Sequence, residues 1–173
     1  MSITKKRVTG LAASAALALA SLSLATPASA ADAPFLQITP DKATAVPGDT
    51  VNVAVKFTNN ETTAVQFVWQ SFQPSYGTSN AVSLSNLKYT WTGCTTDTGA
   101  SCTANGSAPG YTAPIAPGQA RTFTLTYKVE ENSNCGGGMD ISFYSYLYYE
   151  YAGGTATKDG ISNSGNTHVN CPV

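Results

Sequence analysis

The stretch Val51-Asn52-Val53-Ala54-Val55-Lys56-Phe57-Thr58 decides how the rest of this chain reads. Val51, Val53, Val55 and Phe57 alternate with Asn52, Ala54, Lys56 and Thr58, so apolar side chains fall on one face of a strand and smaller or polar ones on the other. Pro47-Gly48 precedes it as a turn, with proline pre-setting φ and glycine accepting a positive value. Asn59-Asn60-Glu61 ends it. The pattern returns after a second turn, Pro117-Gly118. There Arg121, Phe123, Leu125, Tyr127 and Val129 share one face, and Thr122, Thr124, Thr126 and Lys128 share the other.

Working outward, Phe35 to Thr39 reads as a first short strand. Val65 to Phe72 is a denser apolar strand whose Trp69 is expected in the core, as the buried tryptophan of an immunoglobulin-like sandwich would be. Val82-Leu84 and Leu87-Tyr89-Trp91 give a further strand or a bulged pair. Asn105-Gly106 is a hairpin signal within a turn-rich segment from Cys94 to Gly110. Gly136-Gly137-Gly138 links to an aromatic strand over 141–151, and Thr155 to Val169 offers a weaker last strand. No helical period appears after residue 31. The expectation is an all-β, single-domain, immunoglobulin-like sandwich of about seven or eight strands.

Residues 1–30 read as a cleaved signal peptide. Lys5, Lys6 and Arg7 form a basic start, Leu11 to Leu24 an apolar middle, and Ala28-Ser29-Ala30 the small residues of a cleavage site. The domain is then residues 31–173, secreted or associated with the cell surface, with no membrane span after cleavage. It keeps six basic and ten acidic residues, a formal charge of −4. Its bases are scattered, which argues against nucleic acid as a partner. Four cysteines in an exported chain favour two disulfides over a metal site. The preferred pairing joins Cys94 to Cys102 and Cys135 to Cys171. The spacings do not suit a zinc ribbon, and His168 is the only histidine, so no metal and no cofactor are expected.

Ala45-Val46-Pro47-Gly48-Asp49-Thr50-Val51 and the alternating run to Asn59-Asn60 resemble the opening of the bacterial secreted and envelope immunoglobulin-like "conserved repeat" domains. Trp91-Thr92-Gly93-Cys94, Cys102, and Ile115-Ala116-Pro117-Gly118-Gln119 with the strand to Val129 are similar to that family's second half. The resemblance spans residues 35–130 and implies a β-sandwich without shared catalytic residues. The tail from Cys135 departs from it.

Nothing in the chain supports catalysis. His168 near the end would have to serve any Ser-His-Asp or Cys-His site. Asp140 and Glu150 bracket one strand and would stand roughly 33 Å apart, too far for a glycosidase pair. Adjacent Glu130-Glu131 reads as solvated charge. The distinctive segment is Ile141 to Tyr151. Period two places Ile141, Phe143, Ser145, Leu147, Tyr149 and Tyr151 inward, and Ser142, Tyr144, Tyr146, Tyr148 and Glu150 outward. Outward tyrosines either pack across strands or stack on sugars and protein partners. Tyr144, Tyr146 and Tyr148 are the candidate binding residues. Trp91 joins them as an exposed contact or else caps the disulfide hairpin. The expected role is a non-enzymatic binding or surface module for cell-wall polysaccharide or another extracellular protein. The alternative is an inhibitor or effector presenting the Cys94–Cys102 loop.

Overall fold

A computed structural model describes residues 33–75, 78, 87–103 and 109–173. The expected signal peptide, the Val82-Leu84 strand and the Asn105-Gly106 turn lie outside the described residues. The chain order is β1 (Leu36–Pro40), β2 (Thr44–Ala45), β3 (Thr50–Thr58), β4 (Val65–Pro74), β5 (Tyr89–Thr96), β6 (Ala100–Ser101), β7 (Gly110–Tyr111), β8 (Ala120–Val129), β9 (Asp140–Ile141), β10 (Phe143–Tyr151), β11 (Ala156–Asn163) and β12 (Thr167–Val169). Seven of these have five residues or more; the other five are pairs or triplets that stitch the ends together. A 3-10 turn, Ala152–Gly154, joins β10 to β11.

Two sheets face each other. One has the order β1-β3-β8-β5, the other β11-β10-β4. All the pairings within these two sheets are antiparallel. The alternation in β3 and β8 lands as expected, with Val51, Val53, Val55, Phe57, Phe123, Leu125, Tyr127 and Val129 buried. Leu36, Ile38, Val65, Phe143, Leu147 and Tyr149 add to the core from the other strands. Each fully buried side chain of this size contributes about 1.5–3 kcal/mol.

The two Pro-Gly turns share one construction. Asp49 N donates to Val46 O at 3.0 Å, and Gln119 N donates to Ala116 O at 3.0 Å. Gly48 and Gly118 take the positive φ values, 95° and 75°, that a side chain would resist. The freed glycine amides reach across the sheet, Gly48 N to Val129 O at 2.9 Å and Gly118 N to Asn59 O at 2.8 Å. Buried Asn59 ends β3 because its side chain satisfies local backbone. Its Nδ2 donates to Thr63 O and Ile115 O, and its Oδ1 accepts from Glu61 N.

The core holds two aromatic clusters. Phe143 lies 5.0 to 5.9 Å, centroid to centroid, from the rings of Phe72, Tyr89, Trp91 and Tyr127. Phe57 and Phe35 lie 5.4 and 5.1 Å from Tyr149. Burial pushes the Tyr89 and Tyr127 phenols up to about 12. A polar chain runs between these clusters. Tyr111 Oη donates to Gln70 Oε1, Gln70 Nε2 donates to Ser145 Oγ at 2.7 Å, and Ser145 Oγ donates to Ser71 O at 2.6 Å. Because every member is paired, the chain avoids the penalty for isolated buried polar atoms and ties β4, β7 and β10 into one register.

Two expectations for the tryptophans are corrected. Trp69 is not in the core: it is 51% exposed. On β4 the inward positions are Val68, Gln70 and Phe72, and a register shift opposite Glu150/Tyr151 resets the phase of the strand. Trp91, in contrast, turns inward, and its ring meets Phe72, Tyr89, Tyr127 and Phe143. A bulge between Trp91 and Gly93 explains how both Trp91 and Cys94 pair with inward residues, Tyr127 and Leu125.

The disulfides join Cys94 to Cys102 and Cys135 to Cys171, with Cα atoms 6.2 and 4.9 Å apart. The expected strand over 141–151 is divided at Ser142. Asp140–Ile141 pairs with β12, and Phe143–Tyr151 pairs with β4 and β11. The predicted inward and outward sets survive this break.

Candidate functional site: the outer face of β11-β10-β4

The register of β10 against its neighbours assembles the site. Tyr144 stands between Gln73 and Asn163, Tyr146 between Ser71 and Ile161, Tyr148 between Trp69 and Asp159, and Glu150 between Phe67 and Thr157. These residues share the solvent side of the sheet because their strand neighbours Phe143, Ser145, Leu147 and Tyr149 point into the core. The three tyrosines are half-buried. Phe67 is 46% exposed and Ile161 38%. The Trp69 and Tyr146 rings lie 5.9 Å apart, and those of Phe67 and Tyr148 6.3 Å apart. The result is a continuous aromatic surface across two strands. Surface of this kind is what interfaces and ring-stacking sites use.

The three tyrosine hydroxyls on this face all act as donors to a neighbouring side chain. Tyr144 Oη donates to Gln73 Oε1 at 2.9 Å, Tyr146 Oη to Asp159 Oδ2 at 2.8 Å, and Tyr148 Oη to Glu150 Oε1 at 3.0 Å. The hydrogen bond to Asp159 holds the Tyr146 phenol above its ordinary value, and the one to Glu150 does the same for Tyr148. Removing either proton would place two negative oxygens side by side.

Of the residues singled out from sequence, Tyr144, Tyr146 and Tyr148 come together here. Trp91 does not: it is half-buried and packs its ring against the core aromatics Phe72, Tyr89, Tyr127 and Phe143. Phe67, Trp69 and Ile161 belong to the face and escaped the sequence reading. Their signal was the same i, i+2 aromatic spacing in Phe67 and Trp69 that β10 shows. It was obscured because β4 carries apolar residues on both faces.

The Cys94–Cys102 loop exposes Thr95 to Thr98 but folds back on β8. Asp97 N donates to Thr122 O at 3.0 Å, and Asp97 Oδ2 accepts from Thr122 N at 2.6 Å. Gly99 is buried under Arg121; a Cβ there would stand 2.0 Å from Nε. His168 sits on β12 with Nδ1 2.9 Å from Asp140 Oδ1. Glu130 accepts from Thr90 Oγ1 and Glu131 from Lys128 Nζ. Among the described residues no group of three His, Cys, Asp or Glu side chains is placed to hold a metal ion, and no helix is long and apolar enough to cross a membrane.

No protein-family model and no curated protein matches the chain. Solved structures do. A chain from the crystal structure of CaCohA2 in complex with a CaDoc0917 variant aligns with a TM-score of 0.52 at 17% identity, covering 78% of this chain and 99% of that one. The seventh ScaB type I cohesin from Pseudobacteroides cellulosolvens aligns at 0.49 and 13% identity, over 80% of this chain and 94% of its own. ACE19, the collagen binding subdomain of the Enterococcus faecalis surface protein ACE, aligns at 0.42 and 9% identity, over 78% and 98%. At such identities the likeness speaks to architecture alone. With its two facing antiparallel sheets, the chain is an immunoglobulin-like β-sandwich.

Proposed function

We propose that this protein is an exported, non-catalytic binding module whose contact surface is the outer face of β11-β10-β4. The observation that carries this reading is the run of exposed Phe67, Trp69 and Ile161 beside half-buried Tyr146 and Tyr148, on a sheet that already has a complete core beneath it. Folding alone does not require large aromatic side chains there. Export is supported by the signal-like segment 1–30, which leaves 31–173 as the working domain, and by two disulfides suited to an oxidising compartment. The "conserved repeat" resemblance points the same way. The ligand is an extracellular protein or a cell-wall polysaccharide, the two classes that aromatic surfaces engage by stacking and burial. The solved structure with the TM-score of 0.52 is itself a complex.

The test compares the wild-type chain with a Trp69→Ala/Tyr146→Ala double variant. Retention on insoluble polysaccharides, on isolated cell walls and on immobilised extracellular proteins is measured, with melting curves as a folding control. Wild type is expected to be retained on one of these surfaces and the folded double variant to be released. Equal retention of both would remove this face from the function.

A further inference from the structure

The hydrogen-bond polarity of the aromatic face narrows the partner. Each tyrosine hydroxyl spends its single proton on a neighbour, Gln73, Asp159 or Glu150. What the phenols and carboxylates leave toward solvent is lone pairs and ring surface. The charge points the same way. The outward positions of β4, β10 and β11 carry Glu150 and Asp159, and none is a Lys or Arg. Lys158, the one base on these three strands, is one residue out of phase. Its Nζ sits 2.7 Å from Glu61 Oε1 and 5.9 Å from the centroid of the Tyr151 ring, on the other side of β11.

The geometry points to a protein segment bearing arginine as the occupant of this face; this rests on the binding-module reading above. A guanidinium is a planar cation with five donors and no acceptor. It can stack on Trp69 or Tyr146 and bond to the carboxylate of Asp159 or Glu150 at the same time. A sugar brings hydroxyls that need both donors and acceptors; with the phenolic protons committed, this face offers only neutral N–H donors such as those of Trp69 and Gln73 beside two carboxylates, a balance that favours a cationic donor. An acidic segment would meet two carboxylates of its own sign.

The experiment uses the full chain and labelled ten-residue peptides of alternating Arg-Ser, Lys-Ser and Glu-Ser, with chitin and cellulose hexasaccharides as the sugar arm. Affinity is read by fluorescence anisotropy and calorimetry at two salt concentrations. The Arg peptide is expected to bind at least tenfold tighter than the Glu peptide and about threefold tighter than the Lys peptide. Asp159→Asn with Glu150→Gln keeps acceptors for both tyrosines while removing the charge, and is expected to weaken Arg binding about tenfold. Trp69→Ala is expected to abolish it. Equal binding of Arg and Glu peptides, or no loss in the Asp159→Asn/Glu150→Gln variant, overturns the inference. A hexasaccharide bound in a Trp69-dependent way with no Arg preference also overturns it, while leaving the binding face itself standing. If no surface or probe depends on Trp69, both readings fall together.

Discussion

The sandwich has two outer faces built on the same two-residue period with opposite chemistry. On the β1-β3-β8-β5 side, the residues facing solvent include Thr39, Asn52, Lys56, Thr124, Thr126 and Thr90. They bond among themselves, as when Thr126 Oγ1 donates to Asn52 Oδ1 at 2.9 Å. On the β11-β10-β4 side the corresponding positions hold Phe67, Trp69, Tyr144, Tyr146, Tyr148 and Ile161. Both faces cover the same apolar core, so the need to bury that core cannot account for the difference. One face follows the ordinary solution for a solvated sheet, small β-branched and polar residues with strand propensity. The other carries large rings that gain little while they remain wet. That contrast is the physical ground on which binding is proposed for the second face.

The largest loss is expected from removing what both faces rest on. Phe143→Ala deletes the ring that contacts Phe72, Tyr89, Trp91 and Tyr127, and is expected to cost about 3–5 kcal/mol. Chemical denaturation should show both faces lost in a single transition. Next in size is the covalent tie behind β12. Replacing Cys135 and Cys171 by serine opens a loop of 36 residues, for which chain entropy predicts about 4 kcal/mol. The 8-residue separation of Cys94 and Cys102 gives about 2.5 kcal/mol. Melting of the two double variants should rank in that order.

Gln70→Ala acts more locally, on the aromatic sheet alone. It leaves the Tyr111 hydroxyl without its acceptor, and is expected to cost about 1–3 kcal/mol by denaturation. Hydrogen exchange should then rise in β4 before β3 or β8, because Gln70 fixes which side of β4 faces out.

A smaller, pH-dependent effect centres on Glu61. The hydrogen bond from Lys158, followed by that from Tyr149 Oη at 2.6 Å, holds the Glu61 carboxyl below its ordinary value. Its stabilisation is therefore present above the ordinary carboxylate range and is lost as pH falls through the lowered folded value. Lys158 is raised by the same bond, so its share is present below the ordinary lysine range and fades as pH rises through the folded value. Wild type should lose more melting temperature between pH 6 and pH 3 than Glu61→Gln does; equal losses would show that the pair contributes nothing.

The smallest changes are at the two surfaces themselves. Thr124→Ala and Trp69→Ala should each shift stability by about 1 kcal/mol or less. Only Trp69→Ala should alter binding. A matching loss from Thr124→Ala would erase the functional distinction between the faces.

Much of this was readable from residues alone. Val51 to Phe57 and Phe123 to Val129 alternate cleanly, each beginning after a Pro-Gly turn, and their buried faces follow from the pattern. Ile141 to Tyr151 likewise announced its inward and outward sets, since one face is mixed with Ser and Leu and the other with Tyr and Glu. Both disulfides follow the preferred pairing. The tryptophans did not follow their expectations, for different reasons. Val65 to Phe72 carries bulky residues at odd and even positions, and a register shift resets its phase. Tyr89 and Trp91 alternate regularly with Thr90 and Thr92, and the bulge comes only after Trp91, so its inward turn follows from the same two-residue period as Tyr89. Hydrophobicity alone cannot choose between two apolar sides of a strand.

An all-β chain, its turns, its best-patterned strands and the outward tyrosines were legible in the residues alone. These are local matters of φ restriction and two-residue alternation. It took the packed fold to show that Trp69 stands outside while Trp91 packs against the core, that Gln70 is buried against Ser145 and Tyr111, and that Phe67, Trp69 and Ile161 join the tyrosines on one surface. Those outcomes depend on cross-strand register and on the pairing of buried polar atoms. Both are contacts between segments far apart in the chain, 75 residues in the case of Gln70 and Ser145, which no local pattern encodes.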